Sequence, residues 1–248
     1  MDFYSFKKID GTGLAKTLFT TNVYDGFGFN NPEHMDNYIK LGKSFGLTPS
    51  DMVRTNQTHT SIVRLITRAN AGEGITCPGP ESGSDGMVTN EPGLMLCTVE
   101  ADCVPVYLLD PVNKAIGMVH SGWRGTAGHI SANAISLMKK SFGTDPGSIL
   151  AAIGPCICKD CYEVTKDLKE SFLETFSPEE VSGFFTPKPN GRYWLDLKAA
   201  ITATLTGAGV LPENIEDSGF CTFHDSQFHS WRRDGRKDGR MLTAICLV

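Results

Sequence analysis

The chain has 248 residues, 40% of them hydrophobic, enough to bury a sizeable core in one large domain. Its formal net charge of -5 leaves no sequence-wide basic field of the kind that nucleic acids and anionic membranes recruit, and no run approaches the roughly 20 apolar residues that span a bilayer. The start "MDFYSFKKID" has no apolar targeting segment, which points to the cytoplasm, where eight cysteines stay reduced and serve catalysis, metal binding or plain burial.

In chain order, "KTLFTT" at 16–21 reads as a strand. A helix follows that starts near Pro32 behind an asparagine cap, turns Met35, Tyr38, Ile39 and Phe45 inward and stops at Gly46. "SIVRLI" at 61–66 is a strand, and the Gly-, Pro- and Ser-rich stretch 70–86 reads as disordered. Apolar runs at 93–99, 104–109 and 115–120 predict three strands before a helix over 126–142 that buries Ile130, Ile135 and Met138. A strand at 148–154 precedes two more helices, one on Val164, Leu168, Phe172 and Phe176, the other on Leu197, Ile201 and Leu205 up to the "GAG" at 207–209. The closing "MLTAICLV" is a last strand. Strands and helices mix without strict alternation, linker or internal repeat, so the expectation is an α+β chain folded as a single domain over 1–248.

The residues able to do chemistry cluster around two apolar runs. Cys103 sits at the break between them, His120 ends "AIGMVH", and His59 stands at a strand mouth in "RTNQTHTSIV". Two imidazoles and a thiolate are ligand types that Zn²⁺ prefers, and three protein ligands leave a fourth position open, as in catalytic zinc sites. The long sequence gaps leave rivals standing. His59 alone reads more readily as a hydrogen-bonded structural residue, and only its company with Cys103 and His120 changes that. Cys103 with His120 could be the nucleophile and base of a metal-free thiol hydrolase or deamidase. Met95 or Met118 could complete a blue-copper set, although six histidines in all are few for a multi-copper oxidase.

Cys156, Cys158 and Cys161 in "GPCICKDCYEV" could hold a structural metal, but no fourth ligand lies nearby, and a tight turn with partly buried thiols is the favoured reading. Cys97, Cys221 and Cys246 lie in apolar runs and read as core packing. "HSGWRGTAG" at 120–128 is either an anion turn, with Arg124 as its positive fork, or a plain glycine turn before a helix. Arg232 and Arg233 in "SWRRDGRKDGRM" are solvated charges or a second anion clamp.

"NQTHT", "SDGMVTN", "CTVEADCVPVYLLD", "MVHSGWRGT", "IGPCICKDCYEV", "YWLDL" and "SWRRDGRKDGRM" stand in the order found in the YfiH-type family, whose members have been labelled polyphenol oxidase, laccase-domain protein and purine nucleoside phosphorylase. The chain resembles that family from about residue 20 to its end. The resemblance implies a layered α/β/β/α sandwich of the YfiH and cytotoxic-necrotizing-factor-like type, related to cysteine-dependent deamidase toxins. It also implies Zn²⁺, with copper less suited, on His59, Cys103 and His120, and phosphorolysis of adenosine, inosine and methylthioadenosine together with deamination of adenosine. On that reading Asp102, or Glu100 beside it, shuttles protons, Arg124 and Arg233 hold phosphate, and Gln57 orients the base or ribose. The partners are then a nucleoside and phosphate, with no nucleic acid and no membrane. Alternatives are the metal-free thiol hydrolase, a copper-dependent polyphenol oxidoreductase, or a binding module with little turnover. The chain departs from the family at Thr60, where glycine is usual, in the spacing of Cys158 and Cys161, and in a longer C-terminal arginine loop.

Overall fold

The computed structural model describes residues 3–24, 27, 34–235 and 239–248. The elements in chain order are β1 (Phe3–Tyr4), α1 (Lys7–Asp10), β2 (Ala15–Thr20), α2 (His34–Phe45), β3 (Met52–Arg54), β4 (Val63–Leu65), β5 (Gly86–Thr89), β6 (Met95–Glu100), β7 (Val104–Asp110) and β8 (Ala115–Ser121). They continue with α3 (Trp123–Ala127), α4 (Ile130–Phe142), β9 (Leu150–Ile153), β10 (Glu163–Val164), α5 (Lys166–Leu173), α6 (Pro178–Phe184), β11 (Phe185–Pro187), β12 (Tyr193–Leu195), α7 (Leu197–Gly207), β13 (Ile215–Asp217), α8 (Trp231–Asp234) and β14 (Met241–Leu247).

Two sheets stack face to face, one ordered β1-β2-β14-β6-β3 and the other β13-β9-β7-β8-β5-β4, with a small sheet β10-β12-β11 beside them. Strand alternation assigns the layers. In β7, Val104, Val106 and Leu108 join the cluster that also holds Ile135 and Met138 of α4 and Leu197, Ile201 and Leu205 of α7. Tyr107 and Leu109 point the other way, into the cluster with Leu96 of β6 and Ile245 of β14, between the sheets. Met95, Cys97 and Leu242 leave the opposite face of the first sheet and pack on Tyr38 and Leu41 of α2. The order is therefore helix, sheet, sheet, helices, an α+β sandwich in which the central strands are buried on both faces. That is why β7 and β8 read as continuous apolar runs rather than alternating ones. The Tyr107 hydroxyl crosses between the sheets to donate to the Leu18 carbonyl at 2.8 Å.

Several expectations need correction. Pro32 and the asparagine before it lie outside the described residues. Within α2 the inward face is Tyr38 and Leu41, while Ile39 is 39% exposed. The helix over 126–142 starts earlier and is broken: α3 ends at Ala127, and His129, in the left-handed region at φ 54°, turns the chain before α4. Val164 belongs to β10, not to α5. The stretch 70–86 is ordered, because β3 holds it: Gly72 N–H donates to the Met52 carbonyl and Arg54 N–H to the Glu73 carbonyl, both at 2.9 Å. Among the described residues no helix is long and apolar enough to cross a membrane.

Candidate functional site

Two segments of the chain pass from the first sheet to the second. One leaves β3 and enters β4, and His59 lies on it; the other leaves β6 and enters β7, and Asp102 and Cys103 lie on it. β3 and β6 are parallel neighbours, with Val53 opposite Leu96 and Arg54 opposite Cys97, so both crossings depart from the same end of the first sheet. They bend sharply there. His59 and Asp102 adopt φ of 61° and 80°, in the left-handed region that non-glycine residues seldom occupy. On the second sheet β7 and β8 run antiparallel with Pro105 opposite His120, so the start of β7 meets the end of β8. Topology thus delivers His59, Cys103 and His120 to one spot.

Their ligating atoms all lie within 4.8 Å of one another. Cys103 Sγ is 3.9 Å from His59 Nε2, and the two imidazole rings meet edge to face with centroids 5.0 Å apart. Asp85, just before β5 and fully buried, organises the set. Its Oδ1 accepts from His120 Nδ1–H at 2.7 Å and from His59 N–H at 3.0 Å. Its Oδ2 accepts from Thr60 N–H at 2.7 Å, Thr60 Oγ1–H at 2.8 Å and Thr58 N–H at 3.3 Å. One carboxylate therefore fixes the backbone carrying His59 and the ring of His120, and presents Nε2 of His120 to the site. A carboxylate behind a histidine in this way is the usual support of a ligating imidazole. Burial alone pushes the Asp85 carboxyl up, but the His120 imidazole and the Thr60 donors outweigh it and hold the carboxyl below its ordinary value.

The remaining charges follow the same logic. Burial pushes the Cys103 thiol up, yet His120 and His59 overcome this and hold it down to about 6, so the sulfur is a ready thiolate. Burial pushes Glu100 up to about 8 against the pull of His120. Glu100 Oε2 stands 3.7 Å from His120 Nε2, and among the described residues it has no hydrogen-bond partner. Two imidazoles and a thiolate make a donor set that suits a divalent metal, with a buried, unsatisfied carboxylate oxygen beside it.

The glycines of "HSGWRGTAG" serve this packing. A Cβ on Gly122 would lie 2.8 Å from His59 Cδ2 and 3.1 Å from Cys103 Sγ, and one on Gly125 would lie 3.1 Å from the Thr60 carbonyl oxygen. They let α3 close over the His59 segment.

A cleft of about 390 Å³ opens at His59, Cys103 and His120, lined also by Gln57, Asp102, Trp123, Arg124, Tyr162, Trp231, Arg232 and Arg240 among others. Each arginine lies over an aromatic ring: Arg124 over Trp123 at 4.2 Å, Arg232 over Tyr162 at 5.2 Å and Arg240 over Trp231 at 4.9 Å from the centroids. The cleft is thus cationic and flat-walled.

Other residues named from the sequence take different places. Asp102 lines the cleft, but its carboxylate accepts from Thr222 Oγ1–H at 2.6 Å and Arg232 N–H at 2.7 Å. Gln57 also lines it, with its amide clamped on the Val99 backbone by two bonds of 2.8 Å. Arg233 is not brought to the cleft. Its guanidinium turns inward and donates to the carbonyls of Thr222, Phe223, Asp225 and Phe228, tying down residues 222–228. Asp85, Trp123, Tyr162, Trp231 and Arg240 were not singled out from the sequence as site residues. For Asp85 the signal was the polar "SDG" immediately before an apolar strand.

Known proteins bear on this geometry. The purine nucleoside phosphorylase YlmD of Geobacillus stearothermophilus is 34% identical over 220 residues, 88% of this chain and 80% of that protein. The adenosine deaminase RL5, from an unknown prokaryotic organism, is 33% identical over 227 residues, 90% of this chain and 86% of its own. The crystal structure of the YfiH protein of Bacillus licheniformis superposes with a TM-score of 0.91 at 28% identity, covering 100% of this chain and 97% of that one. Residues 11–248 match the family model described as multi-copper polyphenol oxidoreductase laccase, and the chain belongs to that family, the YfiH type.

Proposed function

We propose that the chain is a zinc-dependent enzyme of purine nucleosides, which cleaves adenosine, inosine and methylthioadenosine by phosphorolysis and deaminates adenosine. The observation that carries this reading is the meeting of His59, Cys103 and His120 beneath a cleft walled by arginine and aromatic pairs. The relatives named purine nucleoside phosphorylase and adenosine deaminase support it.

His59, Cys103 and His120 would hold the metal, with Asp85 fixing the third ligand. A zinc ion so held supplies Lewis acidity and lets a water molecule ionise near pH 7. The protein's own residues do the rest. In deamination a proton leaves the attacking water and another must reach the departing ammonia. Glu100 is the better carrier, since its Oε2 is unsatisfied and stands beside His120, whereas both oxygens of Asp102 are occupied as struts. In phosphorolysis an oxygen of phosphate bonds to C1' as the bond from C1' to the base nitrogen breaks, and the electron pair leaves on the base. Arg124 and Arg232 bind the phosphate dianion, held in place by the rings beneath them, while Trp123, Tyr162 and Trp231 offer flat faces to the purine.

Incubating the protein with adenosine or inosine, with and without phosphate, tests the reading. Free base and ribose 1-phosphate are expected with phosphate, and inosine plus ammonia from adenosine without it. A zinc-loaded protein that turns over neither nucleoside overturns the proposal. One observation favours a second reading: the thiolate-forming Cys103 beside His120 would serve a metal-free thiol hydrolase. In that case alkylation of Cys103 abolishes activity and exhaustive chelation does not.

A further inference from the structure

A second group of ligating side chains lies outside the cleft lining. Cys158, Cys161, Cys221 and His224 each offer an atom within 4.8 Å of all the others. Cys161 Sγ is 3.1 Å from His224 Nε2, and Cys158 Sγ is 4.0 Å from Nδ1 of the same ring. A tetrahedron with metal–sulfur bonds of about 2.3 Å and metal–nitrogen bonds of about 2.0 Å has edges of roughly 3.5–3.8 Å, and four atoms that all lie within 4.8 Å of one another need only small side-chain rotations to reach it. All four thiols of this region, Cys156 included, are free.

The sequence alone suggested that a fourth ligand was missing and that Cys221 packs in the core. Both expectations fail because the chain folds back. Cys156 and Cys221 form a parallel bridge, with Thr222 N–H donating to the Cys156 carbonyl at 3.0 Å. This sets the knuckle Cys158-Lys159-Asp160-Cys161 against the knuckle Cys221-Thr222-Phe223-His224. The two spacings, Cys-x-x-Cys and Cys-x-x-His, are those of structural zinc sites. The backbone is already shaped for thiolate sulfur. Cys161 and Tyr162 N–H both donate to the Cys158 carbonyl at 3.1 Å, closing the first knuckle, and Cys158 N–H donates to Cys221 Sγ at 3.3 Å. Cys156, by contrast, is fully buried in the hydrophobic cluster beneath α7 and takes no part.

We propose that Cys158, Cys161, Cys221 and His224 form a closed tetrahedral Cys₃His site for Zn²⁺, separate from the one in the cleft, which staples the 156–161 turn to the segment between β13 and α8. On binding each thiol exchanges its S–H bond for a metal–sulfur bond, the proton passes to solvent, and nothing changes oxidation state. That segment, 218–230, has no regular strand or helix, so its order depends on such ties. The staple also reaches the active site. Thr222, between two of the ligands, donates to Asp102, the neighbour of Cys103, and Ile157 N–H donates to the Asp102 carbonyl at 3.1 Å. Ile157 and Tyr162, flanking the first knuckle, line the cleft.

The test uses the full chain carrying His59→Ala with Cys103→Ser, which removes two ligands of the cleft site. This variant should still bind one equivalent of zinc. With Co²⁺ in its place it should give the intense visible bands of tetrahedral thiolate coordination, and X-ray absorption of the zinc form should fit three sulfurs and one nitrogen. Adding Cys158→Ser with Cys161→Ser should abolish that equivalent and lower Tm. His224→Cys should retain both metal and Tm, where His224→Ala loses the metal. The cobalt and X-ray spectra decide the matter if the serine variant does not fold. The proposal is overturned if the His59 and Cys103 variant binds no zinc, binds it without thiolate bands, or carries a disulfide between any two of the three cysteines.

Discussion

Asp85→Asn tests whether a single buried carboxylate builds the cleft site. Five donors converge on Asp85, two on Oδ1 and three on Oδ2. An amide can keep only one of these sets. If its oxygen stays with His59 N–H and His120 Nδ1–H, its NH₂ group faces Thr60 N–H, donor against donor. If it flips, the NH₂ group faces His59 N–H instead. The Thr60 hydroxyl can rotate and accept, but a backbone N–H cannot, so at least one buried donor is left unpaired, at about 1–3 kcal/mol. Loss of charge from the surviving bonds adds roughly 1 kcal/mol. A total of about 2–4 kcal/mol should lower Tm by roughly 4–16 °C in a chain of this size. His120 also loses its orienting acceptor, which should weaken metal binding in the cleft about 10–100-fold. Scanning calorimetry of the metal-free protein reads the first effect, and competition with a zinc chelator reads the second. A variant that keeps both the Tm and the affinity of the parent refutes this account of Asp85.

Three further outcomes follow from the geometry. Gly122→Ala places a methyl group against His59 and Cys103 without straining the backbone, since φ is -72°, so metal affinity in the cleft should fall at least 10-fold while Tm changes little, as read by chelator competition beside calorimetry. Arg124→Ala should raise the KM for phosphate steeply and leave deamination unchanged, whereas Arg233→Ala should lower Tm by roughly 8–16 °C, from about 1 kcal/mol for each of the four carbonyl bonds lost, and depress both activities together; equal effects of the two variants on phosphate KM would contradict their assigned places. Asp110 is buried, which raises its pKa, but donors from Asn113 and Val112 outweigh this and hold it below the ordinary carboxyl value. Its contribution is therefore present above the unfolded-state pKa of about 3.9 and lost as pH falls through the lower folded value, so Asp110→Asn should flatten the stability profile below about pH 4 in acid titrations followed by circular dichroism.

What the sequence made legible was the part with a strong periodic signal. β6, β7, β8 and β14 are six or seven residues long and buried throughout, so they stand out as apolar runs. β3, β10, β11, β12 and β13 are two or three residues long, too short for any period to show, and were not anticipated. Asp85 was hidden by its surroundings: glycine, proline and serine before it signalled a loose loop, whereas hydrogen bonds to β3 and to Asn56 and Ile62 hold that loop in place. The His59, Cys103 and His120 set was legible as ligand types at strand ends, but residues 44 apart carry no spacing signal, and it took the motif resemblance to set it above its rivals. Arg232 and Arg233 could not be told apart, because on a four-residue helix adjacent side chains diverge, one toward the cleft and one into the carbonyls beneath.

The location of the cleft site has a topological cause. Because β3 and β6 are parallel and hydrogen-bonded to each other, the segments that follow them leave the first sheet side by side, and both must bend over the open end of the sandwich to reach the second. Asp85 arrives at the same end by another route: it immediately precedes β5, whose Gly86 pairs with Val119 of β8 and with Val63 of β4. His120 then faces inward, because its neighbour Val119 points to the helix side and alternation turns the next residue toward the first sheet, where Glu100 waits. A slip of one residue in the pairing of β8 would send the imidazole into the helix layer and bring Val119 to the site. The long apolar ladders on either side, which pin that register through seven paired positions between β7 and β8, thus place His120 in the candidate site as surely as Asp85 does.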